Sequence, residues 1–191
     1  MNMTKISKYM SCILRHQPEL IGITIEKKGA WANTDELIKG ISKKYPIDRN
    51  ILEEIVANDD KQRYSFNADK TKIRANQGHT IDVEIDFPQL PPPQILYHGT
   101  TVKNVDSILR TGINKGKRLY VHLSQDIPTA EKVGARHGKP VIFTVSAQEM
   151  YNDGYVFYLS DNGVWLTDFV PTKYISPILQ YGQYSSGGDT L

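Results

Sequence analysis

Arginine and histidine side chains recur in short polar clusters along the sequence, and these residue types are suited to binding and transferring phosphate. Arg15 is followed directly by His16, and Arg74 and Arg136 each lie close to a histidine next to a glycine. A guanidinium donates paired hydrogen bonds to phosphate oxygens and keeps its charge, whereas an imidazole titrates near neutral pH. We therefore predict that Arg15, Arg74 and Arg136 meet at one phosphate; the alternative is that each is an ordinary surface arginine.

A second set of histidines is suited to binding a nucleoside. The run His98-Gly99-Thr100 offers a ring nitrogen, a backbone that glycine leaves open to close approach, and a hydroxyl. His122 and Ser124 lie two apart, so on a strand they face the same side and are expected to line one pocket. A structural role, with the ring of His98 bonded to backbone, remains the alternative. The sequence has neither a compact metal-binding spacing nor a glycine-rich phosphate loop of the common types, and we predict no metal.

The elements that position Arg15 and Arg74 are predicted from the first 86 residues. Apolar residues recur at helical spacing from Ile6 to Leu14, and Pro18 ends that run, which places Arg15 and His16 in the last turn. Cations are favoured at that end of a helix by the helix dipole.

Two more helices and a hairpin follow. Asn33 and Asp48 are placed to cap helices that extend through Ile41 and Val56. Segments 63–66 and 72–75 flank a turn-forming run, which predicts a β-hairpin with Arg74 on its second strand. Helices followed by a hairpin predict a winged-helix lobe over residues 1–86.

A proline-rich segment over residues 87–94 separates this lobe from the rest of the chain. Four prolines there exclude a helix or a central strand and favour an extended spacer. Beyond it, short strands alternate with helices, which predicts an α+β lobe over 95–180, followed by a disordered tail over 181–191. The strands are predicted at 95–98, 119–123, 141–145, 156–159 and 164–166, and the helices at 102–110 and 129–136.

Composition limits the class of protein. The chain has 191 residues, of which 39% are hydrophobic and 23% charged, values typical of a folded globular protein. No apolar run is long enough to span a bilayer and the first residues do not resemble a secretory signal, so we predict no membrane association. The single cysteine, Cys12, excludes an internal disulfide and is consistent with a cytoplasmic setting. The net charge of only +2 does not by itself predict nucleic-acid binding, although basic residues outnumber acidic ones before residue 80.

Seven motifs, in this order and over nearly the whole chain, resemble those of the RNA 2′-phosphotransferase family. They are Ile13-Leu-Arg-His-Gln-Pro18 preceded by Ile6-Ser-Lys8, Gly29-Ala-Trp31 with Asp35-Glu-Leu37, Lys72-Ile-Arg-Ala-Asn-Gln-Gly-His79, Leu96-Tyr-His-Gly-Thr100, Val121-His-Leu-Ser124, Val133-Gly-Ala-Arg-His-Gly-Lys-Pro140 and Gly163-Val-Trp-Leu-Thr167 leading to Val170-Pro171 and Tyr174-Ile175. The family's QGHS motif is Gln77-Gly-His-Thr80 here, which exchanges one hydroxyl for another.

The resemblance implies a fold and a reaction. It implies an N-terminal winged-helix RNA-binding lobe joined to a C-terminal ADP-ribosyltransferase-like lobe, with NAD as co-substrate and a 2′-phosphorylated RNA, such as a tRNA, as partner. In the family's reaction, the RNA 2′-phosphate is first ADP-ribosylated with loss of nicotinamide. The ribose 2″-hydroxyl then displaces the RNA, which yields ADP-ribose 1″,2″-cyclic phosphate.

The resemblance also implies roles for individual residues. The set that handles the phosphate corresponds to Arg15, His16, Arg74 and Arg136. The NAD-binding set corresponds to His98, His122 and Val164, to which we add Gly99, Thr100 and Ser124. The predicted RNA contacts are Arg63, Lys72, Gln77 and His79, with a turn-stabilising role as the alternative for His79.

Two other functions remain open from the sequence. One is an ADP-ribosyltransferase that acts on a different acceptor, such as a terminal nucleic-acid phosphate. The other is a winged-helix RNA binder without catalytic activity.

Overall fold

A computed structural model describes residues 3–178, apart from the side chain of His137, and shows a mixed α and β architecture. Within that range the helices are α1 (Met3–Arg15), α2 (Thr34–Ser42), α3 (Arg49–Ala57), α4 (Val105–Thr111), α5 (Ile127–Gly134) and α6 (Ala147–Asn152). The strands described there are β1 (Ala32–Asn33), β2 (Tyr64–Phe66), β3 (Lys72–Ala75), β4 (Leu96–Thr101), β5 (Ile113–Asn114), β6 (Val121–Leu123), β7 (Pro140–Val145), β8 (Tyr158–Leu159), β9 (Trp165–Thr167), β10 (Phe169–Val170) and β11 (Ile175–Pro177). The tail predicted over 181–191 lies outside the described residues.

The chain divides into two compact units. Among the described residues, unit one contains residues 3–90 together with Lys115–His122 and Val156–Phe169; unit two contains Pro91–Asn114, Leu123–Tyr155 and residues 170–178. The first division falls between Leu90 and Pro91, in the proline-rich segment. The two later segments of unit one were expected in the lobe over 95–180.

An apolar cluster explains why these later segments belong to unit one. Leu166 of β9 is fully buried in a cluster with Val83, Ile85 and Phe87, which precede the first division. Leu119, Tyr120, Tyr158 and Val164 pack against the same cluster. Removing this apolar surface from water stabilises the unit and requires the later segments to return to it.

Helix α1 forms where the spacing of apolar residues predicted it. Ile6, Met10, Ile13 and Leu14 lie on one face and are buried in the main core of unit one. A proline at position 18 cannot continue the helix, and a 3₁₀ turn begins there (Pro18–Leu20). Arg15 is therefore the last residue of α1.

Side-chain caps fix the starts of the next two helices. The Asn33 side chain accepts hydrogen bonds from the backbone N–H groups of Asp35 and Glu36, and that of Asp48 accepts one from Ile51. Each cap satisfies backbone donors that the first helical turn leaves unpaired. Both predicted helices are thus confirmed.

The predicted hairpin is also confirmed, and it determines where Arg74 points. Strands β2 and β3 pair antiparallel with Ser65 opposite Arg74, and β1 pairs with the other edge of β3. Ile73 and Ala75 are buried in the core. Because side chains alternate along a strand, Arg74 lies on the opposite face of the sheet.

Unit two contains a sheet in the order β11-β7-β4, with His98 opposite Phe143 in the antiparallel pair of β4 and β7. The predicted helix over 129–136 ends at Gly134, and Arg136 lies in a following 3₁₀ turn (Ala135–His137). The helix predicted at 102–110 begins as a 3₁₀ turn (Val102–Asn104) before α4. Helix α6 and the short strands β1, β5, β10 and β11 were not predicted.

Two findings concern only the part of the chain that the structure describes. None of its helices is long and apolar enough to cross a membrane. Its histidine, cysteine and acidic side chains form no group of three that could hold a metal ion.

Candidate active site

The candidate site in unit one begins at the C-terminal end of α1, where the segment 77–80 crosses the helix. The backbone N–H of Thr80 donates to the carbonyl of Arg15 at 2.9 Å. The Thr80 hydroxyl lies 2.9 Å from Nδ1 of His16. A single residue therefore holds both Arg15 and His16, and it is the residue at which the sequence differs from the family's QGHS.

Glycine is required where this segment passes the Arg15 side chain. Gly78 has φ = +90°, a backbone conformation that glycine adopts without steric cost. A Cβ atom at Gly78 would lie 3.8 Å from Cδ and Nε of Arg15, so the backbone passes directly over the guanidinium.

Arg15 has buried donors without partners. Its Nε and Nη2 atoms are buried and have no hydrogen-bond partner among the described residues. Burial lowers the pKa of Arg15, the nearby Tyr64 opposes that shift, and Arg63 and Arg118 add to it. A buried charge without hydrogen bonds is strongly unfavourable, so this geometry is that of a binding site for an anion.

His79, in the segment that crosses α1, is also buried. It is 1% exposed, and neither of its ring nitrogens has a hydrogen-bond partner among the described residues. Burial and, after it, the charges of Arg15, His16 and Arg74 together lower the pKa of His79 to about 3. His79 is therefore a neutral imidazole at pH 7, with one N–H to donate and one lone pair to accept.

His16 is more accessible than His79 but is affected in the same direction. Partial burial lowers its pKa, as do the charges of Arg15 and Arg118. The neutral form of His16 is thus favoured near pH 7. An anion bound beside it would favour the protonated form and oppose this shift.

Arg74 reaches the same cluster from strand β3. Its guanidinium stacks on the Trp31 ring, 4.6 Å from the centroid, and its Nη2 lies 2.5 Å from Oδ2 of Asp161. A weak third contact runs from Nη1 to the carbonyl of Gly29 at 3.5 Å. The Nε atom is buried and has no partner among residues 3–178.

We call Arg15, His16, Arg74 and His79 the anion cluster. The charges of Arg15, His16 and Arg74 all lower the pKa of His79, and Thr80 contacts both Arg15 and His16. Two guanidinium groups supply the charge, and the unpartnered nitrogens supply the donors. This arrangement is suited to binding a tetrahedral oxyanion and to stabilising additional charge on it.

The other predicted RNA-binding residues have protein partners. The guanidinium of Arg63 pairs with Asp59, which also accepts a hydrogen bond from the Arg63 backbone N–H. Lys72 pairs with Glu26 at 2.6 Å. Gln77 is half-buried and precedes Gly78 in the segment that crosses Arg15. Their contacts with RNA remain predictions.

Arg136 belongs to unit two, where its side chain is exposed. Its participation at the phosphate remains a prediction based on the family motif.

The predicted nucleoside-binding run on β4 is partly engaged within unit two. A Cβ at Gly99 would lie 1.7 Å from the Ala130 carbonyl oxygen of α5. The packing of α5 on β4 therefore requires glycine here, and close approach of a ligand to Gly99 remains a prediction. Thr100 is 7% exposed and its hydroxyl accepts a hydrogen bond from Asn104. His98 is half-buried.

The remaining NAD-binding candidates do not share one unit. His122 and Val164 lie in unit one, and Ser124 lies in unit two. The His122 ring is oriented by a 3.0 Å contact between Nδ1 and the Tyr120 carbonyl. Strand β6 ends at Leu123, and Ser124 directly after it forms an isolated antiparallel bridge with Tyr97 of β4.

Sequence reasoning missed Trp31 and Asp161 as parts of the site. Gly29-Ala-Trp31 was noticed only as a motif, and Asp161 is 87 residues from Arg74, so no local pattern connects them. Thr80 was noticed only as a conservative exchange.

The chain is similar to known proteins over most of its length. A family model described as RNA 2′-phosphotransferase, Tpt1/KptA family, matches residues 1–169. The chain is 53% identical over 177 residues to a protein of Nostoc punctiforme named probable RNA 2′-phosphotransferase, covering 92% of this chain and 97% of the relative. A protein of Fusobacterium nucleatum with the same name is 53% identical over 176 residues, covering 91% of this chain and 98% of the relative. One of Flavobacterium johnsoniae is 51% identical over 171 residues, covering 89% and 93%.

Proposed function

The chain belongs to the Tpt1/KptA family of RNA 2′-phosphotransferases, and from this premise we propose that it removes an internal 2′-phosphate from RNA with NAD as co-substrate. The observation that carries the proposal is the anion cluster, in which Arg15, Arg74 and His79 have buried nitrogens without partners. A phosphate monoester supplies the charge and the acceptor oxygens that these groups lack.

We assign RNA binding to the helices and hairpin of the N-terminal part of the chain, and NAD binding chiefly to the sheet that follows the proline-rich segment. Helices α1–α3 followed by the β2–β3 hairpin are consistent with a winged-helix RNA-binding lobe. The sheet of β4, β7 and β11 with α5 packed on β4 is consistent with an ADP-ribosyltransferase-like lobe. The proposed NAD contacts are His98, Gly99, Thr100, His122, Ser124 and Val164.

In the first proposed step, an oxygen of the RNA 2′-phosphate attacks C1″ of the NAD ribose. The C1″–nitrogen bond breaks, and its electron pair leaves with nicotinamide. The attacking phosphate and the NAD pyrophosphate carry like charges, so the guanidinium groups of Arg15 and Arg74 reduce the repulsion between them. Complete neutralisation would weaken the nucleophile.

In the second proposed step, the ribose 2″-hydroxyl oxygen attacks phosphorus and the bond from phosphorus to the RNA 2′-oxygen breaks. The hydroxyl proton is lost and the RNA 2′-oxygen gains one, so the step needs a base and then an acid. His16 suits the base role because its lowered pKa favours the neutral form that accepts a proton, and the imidazolium so formed can then donate a proton to the RNA 2′-oxygen. The RNA leaves with a 2′-hydroxyl and ADP-ribose 1″,2″-cyclic phosphate is released.

The arginines are expected to contribute most to the second step. Charge accumulates on the phosphoryl oxygens as phosphorus becomes five-coordinate, and donors fixed in place bind that state better than the ground state. Each charge-assisted hydrogen bond contributes about 1.5–3 kcal/mol.

The experiment that tests this function incubates the purified full chain with NAD and a short RNA carrying one internal 2′-phosphate. We expect release of nicotinamide, RNA with a 2′-hydroxyl and the cyclic phosphate in equal amounts. Accumulation of ADP-ribosylated RNA alone would instead indicate an ADP-ribosyltransferase without the second step. RNA binding without nicotinamide release would indicate a non-catalytic binder, and either result would contradict the proposal.

A further inference from the structure

The Arg74 guanidinium is restrained on one face and along one edge, and the residues responsible are all in unit one. Trp31 stacks on it at 4.6 Å from the ring centroid, and Asp161 accepts from Nη2 at 2.5 Å. The side chain is only 18% exposed. A guanidinium held in this way retains little rotational freedom.

The turn that carries Trp31 is unusual in its backbone. Gly29 and Ala30 both have positive φ, at +79° and +57°, and Ala30 is fully buried. A left-handed conformation is costly for a residue with a Cβ, so tertiary contacts must maintain it at Ala30. Hydrogen bonds at both ends fix the turn, from Gly29 N–H to the Glu84 carbonyl at 2.7 Å and from Glu26 N–H to the Trp31 carbonyl at 2.8 Å.

Glycine at position 29 also makes room for the indole. A Cβ there would lie 2.6 Å from Cδ1 and Nε1 of Trp31, which is a steric clash. The turn therefore positions the indole ring against the face of the Arg74 guanidinium.

Asp161 restrains the other part of the guanidinium. Its carboxylate occupies Nη2, while Nε is buried and has no partner among residues 3–178. The negative charge of the Asp161 carboxylate repels a phosphate bound nearby, so its presence in this site calls for another role. With Asp161 on Nη2 and the Gly29 carbonyl near Nη1, the Nε–H is the buried donor left for a phosphate oxygen.

We propose that Trp31 and Asp161 are positioning residues that orient the Arg74 guanidinium so that its Nε–H points to the reacting phosphate. The inference rests on the proposed function, because it assigns the phosphate as the group that Arg74 binds. Neither residue touches the reacting atoms; both act through Arg74. Asp161 also offsets part of the charge of Arg74, which preserves the nucleophilicity of the phosphate in the first step.

The first test needs no turnover. We would record the ¹⁵N-correlated Nε–Hε signals of arginine in the full chain, with and without inorganic phosphate, and assign Arg74 as the signal lost in Arg74→Ala. We expect a sharp Arg74 signal that shifts with phosphate, and a broadened one in Trp31→Ala and Asp161→Ala. Trp31→Phe keeps an aromatic face for the cation and should keep the signal sharp. Asp82→Ala, which removes an exposed partner of Lys27, is the matched control.

The second test follows both chemical steps in a single turnover. We expect Trp31→Ala and Asp161→Ala to slow decay of ADP-ribosylated RNA by up to about a hundredfold, the effect of a small misplacement of a catalytic group. In an Arg74→Ala background neither change should slow it further. Trp31→Phe should restore most of the rate. A purely structural role predicts losses that add to that of Arg74→Ala.

The outcomes separate this inference from the proposed function. An unchanged Arg74 signal in Trp31→Ala and Asp161→Ala, or losses that add to Arg74→Ala, would overturn it. A wild-type protein that releases no nicotinamide would contradict the proposed function, while the Nε–Hε signals would still decide whether the two residues hold Arg74. If Asp161→Ala fails to fold, the comparison of Trp31→Ala with Trp31→Phe decides the question.

Discussion

The two imidazoles of the anion cluster do not contribute positive charge at pH 7. Burial and neighbouring arginines lower the pKa of both His16 and His79, which leaves Arg15 and Arg74 as the charged members. Arg74 is paired with Asp161, so the two guanidinium groups neutralise a phosphate dianion only in part. The imidazoles then serve as hydrogen-bonding groups, and His16 retains a lone pair that can accept the proton of a hydroxyl.

The pKa of His79 predicts how stability depends on pH. The folded-state pKa of about 3 is below the ordinary value of 6.5, so the unfolded chain binds a proton that the folded chain excludes between these values. Stability is fully present above pH 6.5 and decreases as the pH falls toward 3, by on the order of 4–5 kcal/mol from this residue. Urea unfolding at several pH values measures this, and His79→Leu should flatten the dependence.

His16 provides the comparison for that experiment. Its pKa is lowered by partial burial and by Arg15 and Arg118. We expect His16→Asn to remove only the part of the dependence just below pH 6.5. If His79→Leu left the slope between pH 6 and 4 unchanged, the buried neutral imidazole would be contradicted.

Thr80 determines how the ring of His16 is held, which gives a prediction for catalysis. Thr80→Val keeps the shape of the side chain but removes the hydroxyl that lies 2.9 Å from Nδ1. We expect the second step to slow by about tenfold, less than the roughly hundredfold or greater loss from removing an acid–base group itself. The decay of ADP-ribosylated RNA in single turnovers measures the effect, and its pH profile should shift.

Thr80→Ser is the matched control, because it retains the hydroxyl. It should behave as the wild type in both rate and pH profile. Equal losses in the serine and valine variants would show that the methyl group, and not the hydroxyl, is what matters at this position.

At the scale of elements, local signals in the sequence were sufficient for most of unit one. The caps at Asn33 and Asp48, the break at Pro18 and the hairpin turn are encoded within a few residues of where they act. They place Arg15 at the end of α1 and Arg74 on β3. Helix α6 was not predicted because its six residues, Ala147–Asn152, are too few to show a helical repeat.

Contacts between distant elements were not predictable in the same way. The pair of Arg74 and Asp161 joins a strand to a loop 87 residues later, and the requirement for Gly99 arises from a helix that follows it by about 30 residues. No periodicity or cap marks such contacts. The glycine was recognised as important, but the element that requires it was identified only from the structure.

The packing of α5 on β4 predicts the effect of Gly99→Ala. The added methyl would meet the Ala130 carbonyl oxygen at 1.7 Å, so α5 must move away from the sheet. We expect a loss of stability of about 1–3 kcal/mol or more, without NAD present. Thermal unfolding of the full chain measures it. Gly134→Ala, whose methyl would lie 2.5 Å from the Thr100 carbonyl oxygen, should be destabilising in the same way.

An opposite result would support the prediction that Gly99 is needed for close approach of a ligand. If Gly99→Ala unfolded at the wild-type temperature but lost affinity for NAD, the glycine would be needed for a ligand and not for the helix.

At the scale of the whole molecule, the order of the chain and the composition of the units differ. Unit one includes Lys115–His122 and Val156–Phe169, which lie beyond the proline-rich segment in the sequence. His122, Val164 and Asp161 thereby join the unit that carries Arg15 and Arg74. A division based on composition places a boundary at the prolines but has no information on which later strands complete the first core.

Arg136 and His98 belong to unit two, and their roles in the reaction remain predictions that mutagenesis tests. Replacing Arg15, His16, Arg74 or Arg136 by alanine should impair the second step more than the first, because charge on the phosphoryl oxygens increases most in the second.

The most direct measurement of the central claim is therefore a single-turnover time course for these four alanine variants. RNA with a 2′-phosphate, ADP-ribosylated RNA and RNA with a 2′-hydroxyl are separated at each time point, with NAD in excess. We predict that every variant accumulates ADP-ribosylated RNA, whereas the wild type converts it to RNA with a 2′-hydroxyl without accumulating it. Variants that lose both steps equally, with no intermediate at any time, would contradict the claim that Arg15, His16, Arg74 and Arg136 act on the phosphate in the transition state of its transfer.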